Sequence, residues 1–459
     1  MNTRETLALL REYESRNLLF AEPDGSWPIV WERAKGVNVW DADGKKYLDL
    51  TAAFGVAATG HANPRIVKAG QDQMEQLMHA MGDVHPHARK AELARELSKI
   101  TFERWSSEFT ALKSDSPGRR VETQNSKIQT AKTIFCNSGF EAVEAALKTA
   151  MLTAGKYGVI AFQGGYHGLG YGTLNIAHRE FFRAPFRLQL REFGHFVQFP
   201  TRAADLPVVE TLMRRQFQRG WVGAVLVEPV QGRGGINVPP PDFLPLLRRL
   251  CDEHKALLVV DEILTGFGRT GKWFACEQSG VIPDIICLGK ALTGGFPLSA
   301  CVGRAEVMDA AWPPSRGEAL HTSTFLGNPV GCAMALAQIE EIHDGKLPER
   351  AAKSGEFLIG ELSKVHPPSS DSSATGSPKS KVTVRGLGLM VGLDFRLANG
   401  APAGEAAMTV VKAMLRRGFI LLPEGEHGNV ISFTPPLTIT KAQLADTVTA
   451  LTEVLNETV

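Results

Sequence analysis

The sequence predicts an α/β protein with a mostly parallel central sheet covered on both faces. Short apolar runs bounded by turn residues recur at 132–136, 159–162, 222–227, 257–260, 285–288 and 299–302, and read as buried strands. Helical patterns separate several of them, as at 141–151. Two of the runs then deliver a charged residue, Asp261 after 257–260 and Lys290 after 285–288. Strand ends are where α/β proteins place their chemistry.

The elements follow in order. From Trp31 to Pro64 apolar and polar residues alternate, with turns at Gly36 and Asp43-Gly44, which predicts short antiparallel strands. Ile66, Val67, Gly70, Met74, Leu77 and Met78 form one helical stripe, and Leu93, Leu97 and Ile100 another. Residues 106–127 lose the apolar pattern and predict an exposed insertion. The strands and helices of the central sheet come next. A helix is expected near 330–343, and a C-terminal lobe follows it. Residues 367–381, rich in Ser and Pro, have the composition of a flexible loop. The final helix opens on Thr440-x-x-Gln443, a capping box, and carries Leu444, Val448, Leu451 and Leu455 on one face. The expected division is an N-terminal segment of a small domain at 1–65, a large domain at 66–335, and the rest of the small α+β domain at 336–459.

Composition narrows the class. A chain of 459 residues with 44% hydrophobic content is ordinary for a globular protein with a large core. The net charge of +1 and the lack of a basic patch argue against a nucleic-acid partner. The N-terminus MNTRETLALLREYESR is charged and has no apolar core of a signal peptide. No uncharged run reaches membrane-spanning length. The cysteines (Cys136, Cys251, Cys276, Cys287, Cys301 and Cys332) are scattered, with no C-x-x-C metal or redox pattern, and read as small core residues. Together these predict a reduced, cytoplasmic enzyme.

Asp261 and Lys290 suggest a chemistry. Desolvation frees the lone pair of a lysine at a strand end, making it a candidate Schiff-base nucleophile. An aspartate beside a pyridine nitrogen holds it protonated and makes the ring an electron sink. At about 4 Å and an effective dielectric near 20 such a pair gains roughly 4 kcal/mol. This points to pyridoxal 5′-phosphate. The two residues alone fit equally a structural Asp and a surface Lys. Gly266 to Lys272 mimics a P-loop, G-x-x-x-x-G-K, but Trp273 follows where a magnesium-binding hydroxyl is needed, so that reading is rejected.

The block DEILTGFGRTGKWFACEQSGVIPDIICLGKALTGG resembles the core signature of the class III, omega-type aminotransferases, PLP-dependent enzymes of fold type I that include 4-aminobutyrate and ornithine aminotransferases. The resemblance runs from about Val30 to Thr440 apart from the two insertions. It implies that Lys290 forms the Schiff base with the cofactor and that Asp261 pairs with the pyridine nitrogen. Asn137-Ser138-Gly139-Phe140-Glu141-Ala142 resembles the family's N-[ST]-G-x-E-A, which implies that Ser138, Gly139 and the Phe140 amide hold the phosphate. A glycine at a helix start does this through backbone N–H groups, although many strand–helix turns look alike. Tyr166-His167-Gly168 resembles [FY]-H-G, whose aromatic stacks on the ring; a loop anchor would look the same. Ile263 would pack on the opposite ring face, since period-two spacing puts it with Asp261. Glu228, in VEPVQGRGG, matches a glutamate near ring and substrate, or is a satisfied glutamate at a strand end. The segment from His321 to Pro329 resembles H-x-x-T-[FY]-x-x-[NH]-P, which implies that Thr324 reaches the neighbouring subunit's cofactor and hence a homodimer with composite sites. Phe54, Gly55 and Val56 match a loop lining the substrate pocket.

Four positions depart from the family pattern. Phe140 stands for a common Ser or Thr. Leu169 and Ser432 stand where many members carry carboxylate-binding arginines, and Leu264 stands for a glutamine that partners the ring hydroxyl. Neither leucine nor serine replaces a bidentate guanidinium, so the pocket, with Leu169 and Glu228 in it, is expected to be more apolar. Arg385, in VRGLGLMVG, reads as structural. The expected reaction moves an amino group from an amino acid or omega-amino acid to a 2-oxo acid. A racemase, epimerase or aminomutase of the same fold, acting on an apolar amino acid, is the alternative. A non-enzymatic binding protein on this fold is a second.

Overall fold

The computed structural model describes residues 1–108, 129–365 and 381–458. Of the two expected insertions, residues 106–108 continue a helix and Lys381 opens a strand; 109–127 and 367–380 lie outside the described residues.

The N-terminal strands are β1 (Trp31–Lys35), β2 (Asn38–Asp41) and β3 (Lys46–Asp49), paired antiparallel in sequence order. Asp41 fixes the β2–β3 turn. Its Oδ1 accepts from the amides of Asp43 (3.1 Å) and Lys45 (2.8 Å), and its Oδ2 from the Tyr47 hydroxyl (2.8 Å). An Asx side chain that caps its own turn is what the D-x-D-G pattern supplies.

The central sheet holds β4 (Ala131–Cys136), β5 (Gly158–Phe162), β6 (Gly194–Val197), β7 (Val222–Val227), β8 (Leu257–Asp261), β9 (Ile285–Leu288) and β10 (Ser299–Arg304). The order is β4-β10-β9-β8-β7-β5-β6. From β9 to β6 every pairing is parallel, while β10 runs antiparallel to both its neighbours. All six expected strands are there. The added one, β6, is a half-buried edge strand whose Gly-His-Phe-Val gives almost no periodic signal. The central strands β5, β7 and β9 are buried at every position, with side chains alternating between two packed faces, as a sheet covered on both sides requires. Val159 and Ala161 pack with Ala142, Val143 and Ala146 of the helix Gly139–Ala154. Ile160 and Phe162 face the other way, into the cluster with Phe243 and Leu247.

The third sheet is β11 (Lys381–Leu387), β12 (Met390–Arg396), β14 (Leu422–Glu424) and β15 (Val430–Phe433), ordered β11-β12-β15-β14 and antiparallel throughout. Between them β13 (Phe419–Ile420) adds parallel to β3, joining the C-terminal part of the chain to the N-terminal strands. The helix Lys441–Thr458 has the expected capping box, with Thr440 N donating to Gln443 Oε1 (3.0 Å) and Gln443 N to Thr440 Oγ1 (3.2 Å). Leu444, Val448, Leu451 and Leu455 are all buried.

One expected face differs. In the helix Pro64–Gln76 and the turn after it, Ile66 and Gly70 are buried, but Val67, Met74, Leu77 and Met78 are exposed. All six cysteines are buried and unpaired. Among the described residues no helix is long and apolar enough to cross a membrane.

Candidate active site

A cavity of about 480 Å³ opens beyond the ends of β8 and β9, with Asp261 and Lys290 in its wall. Asp261 is the last residue of β8, and Lys290 follows β9 by two. Lys290 takes a φ of +41°, in the left-handed region, at a cost of about 1–2 kcal/mol for a residue with a Cβ. Burial of Ala291 and Leu292 in the same short turn holds it there. Desolvation pushes the Lys290 amine below its ordinary pKa, while the charges of Asp261 and Glu228 work against that. The amine is therefore moved toward its nucleophilic form.

Asp261 is buried and both its oxygens are engaged. Oδ1 accepts from Ile263 N (3.1 Å), and Oδ2 lies 2.8 Å from His167 Nδ1. Glu228, just past β7, accepts from Tyr166 N through Oε1 and from Gly232 N through Oε2, both at 3.0 Å. It thus ties the loop after β5 to the loop after β7. Burial raises its pKa.

The helix Gly139–Ala154 begins at the cavity. Glu141 Oε2 accepts from the amides of Asn137 (2.6 Å) and Ser138 (3.2 Å), and Ser299 Oγ donates to Ser138 O (2.6 Å). Ser138 Oγ is shielded and has no hydrogen-bond partner among the described residues. Ile263 packs on the helix start, and a Cβ at Gly139 would meet its Cδ1 at 3.0 Å. Phe140 lines the cavity and lies against Gly168, where a Cβ would sit 2.3 Å from Phe140 Cβ. Only glycine fits there, and its φ of +98° adds a second reason.

Tyr166, His167 and Leu169, from the loop after β5, line the cavity, and so do Leu264 and Ser432. Phe54 lines the mouth, 60% exposed. It sits in a left-handed turn, with φ of 47°, 49°, 64° and 80° at Ala52, Ala53, Phe54 and Gly55. Val56 closes that turn by donating its N–H to Ala52 O and is not among the lining residues. Thr324 is exposed on a separate loop, outside this cavity. Arg385 spans the carbonyls of Gly235 (3.1 Å) and Ile236 (2.9 Å) and the carboxylate of Asp394 (2.8 Å), a structural clasp.

Arg233 and Glu424 also line the cavity, and sequence reasoning singled out neither. Arg233 lies in the VEPVQGRGG stretch that pointed to Glu228, and its signal was a charged residue among glycines. Glu424 had no signal beyond a turn-rich stretch. Among the described residues no cluster of His, Cys, Asp or Glu could hold a metal ion.

Comparison with known proteins agrees with this geometry. The family model described as aminotransferase class-III matches residues 19–455. The chain is 35% identical to the 5-aminovalerate aminotransferase DavT of Pseudomonas aeruginosa, over 94% of each chain. It is 35% identical to a putrescine aminotransferase of Pectobacterium atrosepticum, over 99% of this chain and 89% of that one. An amine transaminase from an uncultivated Pseudomonas species, solved with PLP bound, superposes with a TM-score of 0.82 at 27% identity, covering 98% of this chain and 99% of that one. These relatives transfer amino groups by name, which does not favour the racemase alternative.

The cavity suits the family's cofactor. The positive end of a 16-residue helix, a glycine in its first turn and an unpartnered buried hydroxyl at Ser138 form a ready phosphate cradle. A desolvated lysine and a doubly braced aspartate share the same wall. With the match running through nearly the whole length and a site fitted to pyridoxal phosphate, the chain belongs to the PLP-dependent class III aminotransferases.

Proposed function

We propose that the chain moves an amino group from a terminal-amine donor, an omega-amino acid or a diamine, to a 2-oxo acid. The carrying observation is the cavity's composition. Phe54, Phe140, Leu169, Leu264 and Leu422 make its wall largely apolar, which suits the methylene chain of such a donor. The names of relatives support the donor class: 5-aminovalerate, putrescine and ornithine aminotransferases.

Pyridoxal phosphate, when bound, supplies an aldehyde carbon for the amino group and a ring that draws electrons from the substrate carbon. The chain's own residues do the rest. Lys290 Nζ anchors the cofactor and, once released, takes a proton from the substrate carbon as general base. Asp261 keeps the ring nitrogen protonated, and His167 holds Asp261 in place. Tyr166 and Ile263 confine the ring from its two faces. Ser138, Gly139 and the Phe140 amide take the phosphate.

The working assembly in this reading is a homodimer in the cytoplasm, with Thr324 completing the neighbour's site. Exposed apolar side chains at Met74, Leu77, Met78 and Met81, and at Leu320 and Phe325 beside Thr324, support it. Six unpaired cysteines support a reducing compartment. The division at 1–65, 66–335 and 336–459 belongs to the same reading, supported by the β3–β13 pairing of the two chain ends.

The test is a half-reaction. PLP-loaded protein is mixed with 4-aminobutyrate, 5-aminovalerate, putrescine, ornithine or alanine without acceptor. The cofactor absorbance should convert to the pyridoxamine form with a terminal-amine donor and return when a 2-oxo acid is added. No conversion with any amine would sink the reading.

A further inference from the structure

Two arginines that many class III members use for substrate carboxylates are absent, because Leu169 and Ser432 stand in the cavity wall instead. A 2-oxo acid acceptor always carries a carboxylate beside its keto carbon. Burying that anion without a cation is costly, so something in this cavity must answer it.

We propose that Arg233 binds the carboxylate of the 2-oxo acid, with Glu424 as its counter-ion when no acid is bound. This rests on the aminotransferase reading above and names how that site takes its acceptor.

Arg233 is the one guanidinium among the described residues lining the cavity. Its main chain is fixed. Arg233 O accepts from Arg179 Nη2 (2.6 Å) and from Gly425 N (3.2 Å), and the preceding Gly232 is held by Glu228. Its side chain is less committed. Arg233 Nε is shielded from solvent and has no hydrogen-bond partner among the described residues. The nearest carboxylate oxygen, Glu424 Oε2, is 3.9 Å away, too far for a hydrogen bond. The side chain as a whole is 42% exposed. Five donors in a planar fork are thus present with few acceptors, which is the form that receives a carboxylate.

Its position is right for the acceptor. The guanidinium carbon lies 5.1 Å from the centroid of the Tyr166 ring, the aromatic assigned to the cofactor's face. Glu424 and Leu422 share one face of β14, and Ser432, paired with Leu422, lies beside them on β15. Where the family pattern has an arginine at 432, this chain has a small side chain, and it has Arg233 in the same cavity, 3.9 Å from Glu424.

The pair also explains how one cavity takes two unlike substrates. A terminal-amine donor leaves Arg233 with Glu424, so no cation is buried alone. A 2-oxo acid offers a second anion, and its carboxylate takes the guanidinium donors that Glu424 does not reach. In neither half-reaction is a carboxylate left without a guanidinium beside it.

The experiment uses the PLP-loaded holoenzyme as wild type, Arg233→Ala, Arg233→Lys and Glu424→Gln. Titration calorimetry with propanoate, a non-reacting monocarboxylate, measures carboxylate binding apart from turnover. Single-turnover kinetics measure each half-reaction, with putrescine as the carboxylate-free donor and pyruvate as acceptor. Arg233→Ala should weaken propanoate and raise the KM for pyruvate about 10- to 100-fold. Its effect on the putrescine half-reaction should be at least tenfold smaller. Arg233→Lys should fall between, because the charge survives and the fork does not. Glu424→Gln should tighten propanoate. Wild-type-like propanoate and pyruvate binding in Arg233→Ala overturns the proposal, as does an equal loss in both half-reactions, which marks a purely structural arginine. A wild-type protein that no amine converts overturns the aminotransferase reading and this proposal together. Conversion of the wild type with an unchanged variant overturns this proposal alone.

Discussion

His167 Nδ1 lies 2.8 Å from Asp261 Oδ2, with both side chains buried. The contact joins the loop after β5 to the end of β8. Asp261 Oδ1 is fixed by the Ile263 amide. The carboxylate therefore cannot rotate, and it presents its remaining lone pairs in one direction. A group that must meet a cofactor ring nitrogen benefits from that rigidity, because its orientation is set before the cofactor arrives.

His167→Phe should accordingly lower kcat by about 5- to 150-fold, the equivalent of roughly 1–3 kcal/mol for a buried carboxylate losing one partner. Steady-state kinetics at saturating donor read this directly. His167→Asn, which keeps a donor on a shorter arm, should retain more activity than His167→Phe. Equal activity in all three proteins would show that the histidine only packs.

Lys290→Ala should reduce turnover to background. Borohydride treatment of PLP-loaded wild type should fix the cofactor on the peptide containing Lys290, and the variant should carry no label there. Near-normal turnover in the variant would remove Lys290 from its assigned role. The lowered pKa gives a sign as well. The amine is neutral at lower pH than a free lysine, so cofactor capture by apoprotein should proceed at neutral pH, where a free lysine is almost wholly protonated.

Much of the site was legible because its residues sit close in sequence on regular elements. Asp261, Ile263 and Lys290 belong to two strand ends inside one 35-residue stretch, and buried strands announce themselves by short apolar runs. Ser138 and Gly139 were readable from the strand–helix junction. Arg233 and Glu424 were not, because the cavity joins a loop after β7 to a strand of a different sheet, and no periodicity encodes that meeting. The helix Pro64–Gln76 failed for another reason. Its apolar stripe is real, but Val67 and Met74 face solvent in the single chain, and a hydrophobic pattern cannot say whether its partner is the core or another surface. The turn at 52–55 was opaque as well, since Ala-Ala-Phe gives no sign of a positive φ.

That turn carries a prediction. Gly55 has a φ of +80°, and a Cβ there would lie 2.8 Å from Leu264 Cδ1 and 3.9 Å from Lys290 Cδ. Gly55→Ala must displace Leu264 or distort the turn, adding about 1–2 kcal/mol of strain in a segment that already holds three left-handed residues. The expected result is a lower thermal midpoint and a weaker kcat/KM, with Phe54 moved from the cavity mouth. An unchanged kcat/KM would show that the turn does not position the wall beside Lys290.

Glu262, next to Asp261, sets a pH dependence of stability rather than of catalysis. It is fully buried and is not among the cavity-lining residues. Burial raises its pKa from 4.5 to about 7, against the hydrogen bonds it accepts from Thr265 Oγ1 (2.5 Å) and Cys276 N (2.8 Å). The folded state thus binds its proton more tightly than the unfolded state does. Between pH 4.5 and 7 the folded chain holds a proton that the unfolded chain has lost, so this residue's contribution is full below the lower value and falls away as pH rises through the upper one. The difference amounts to roughly 3 kcal/mol at 1.36 kcal/mol per pKa unit. Glu262→Gln keeps an acceptor for Cys276 and a polar partner for Thr265 but cannot ionise. Thermal midpoints at pH 5.5 and 8 should therefore drop less in Glu262→Gln than in wild type, with the variant the more stable of the two at pH 8. Parallel pH profiles would show that Glu262 stays ionised in the core, stabilised by its two hydrogen bonds alone.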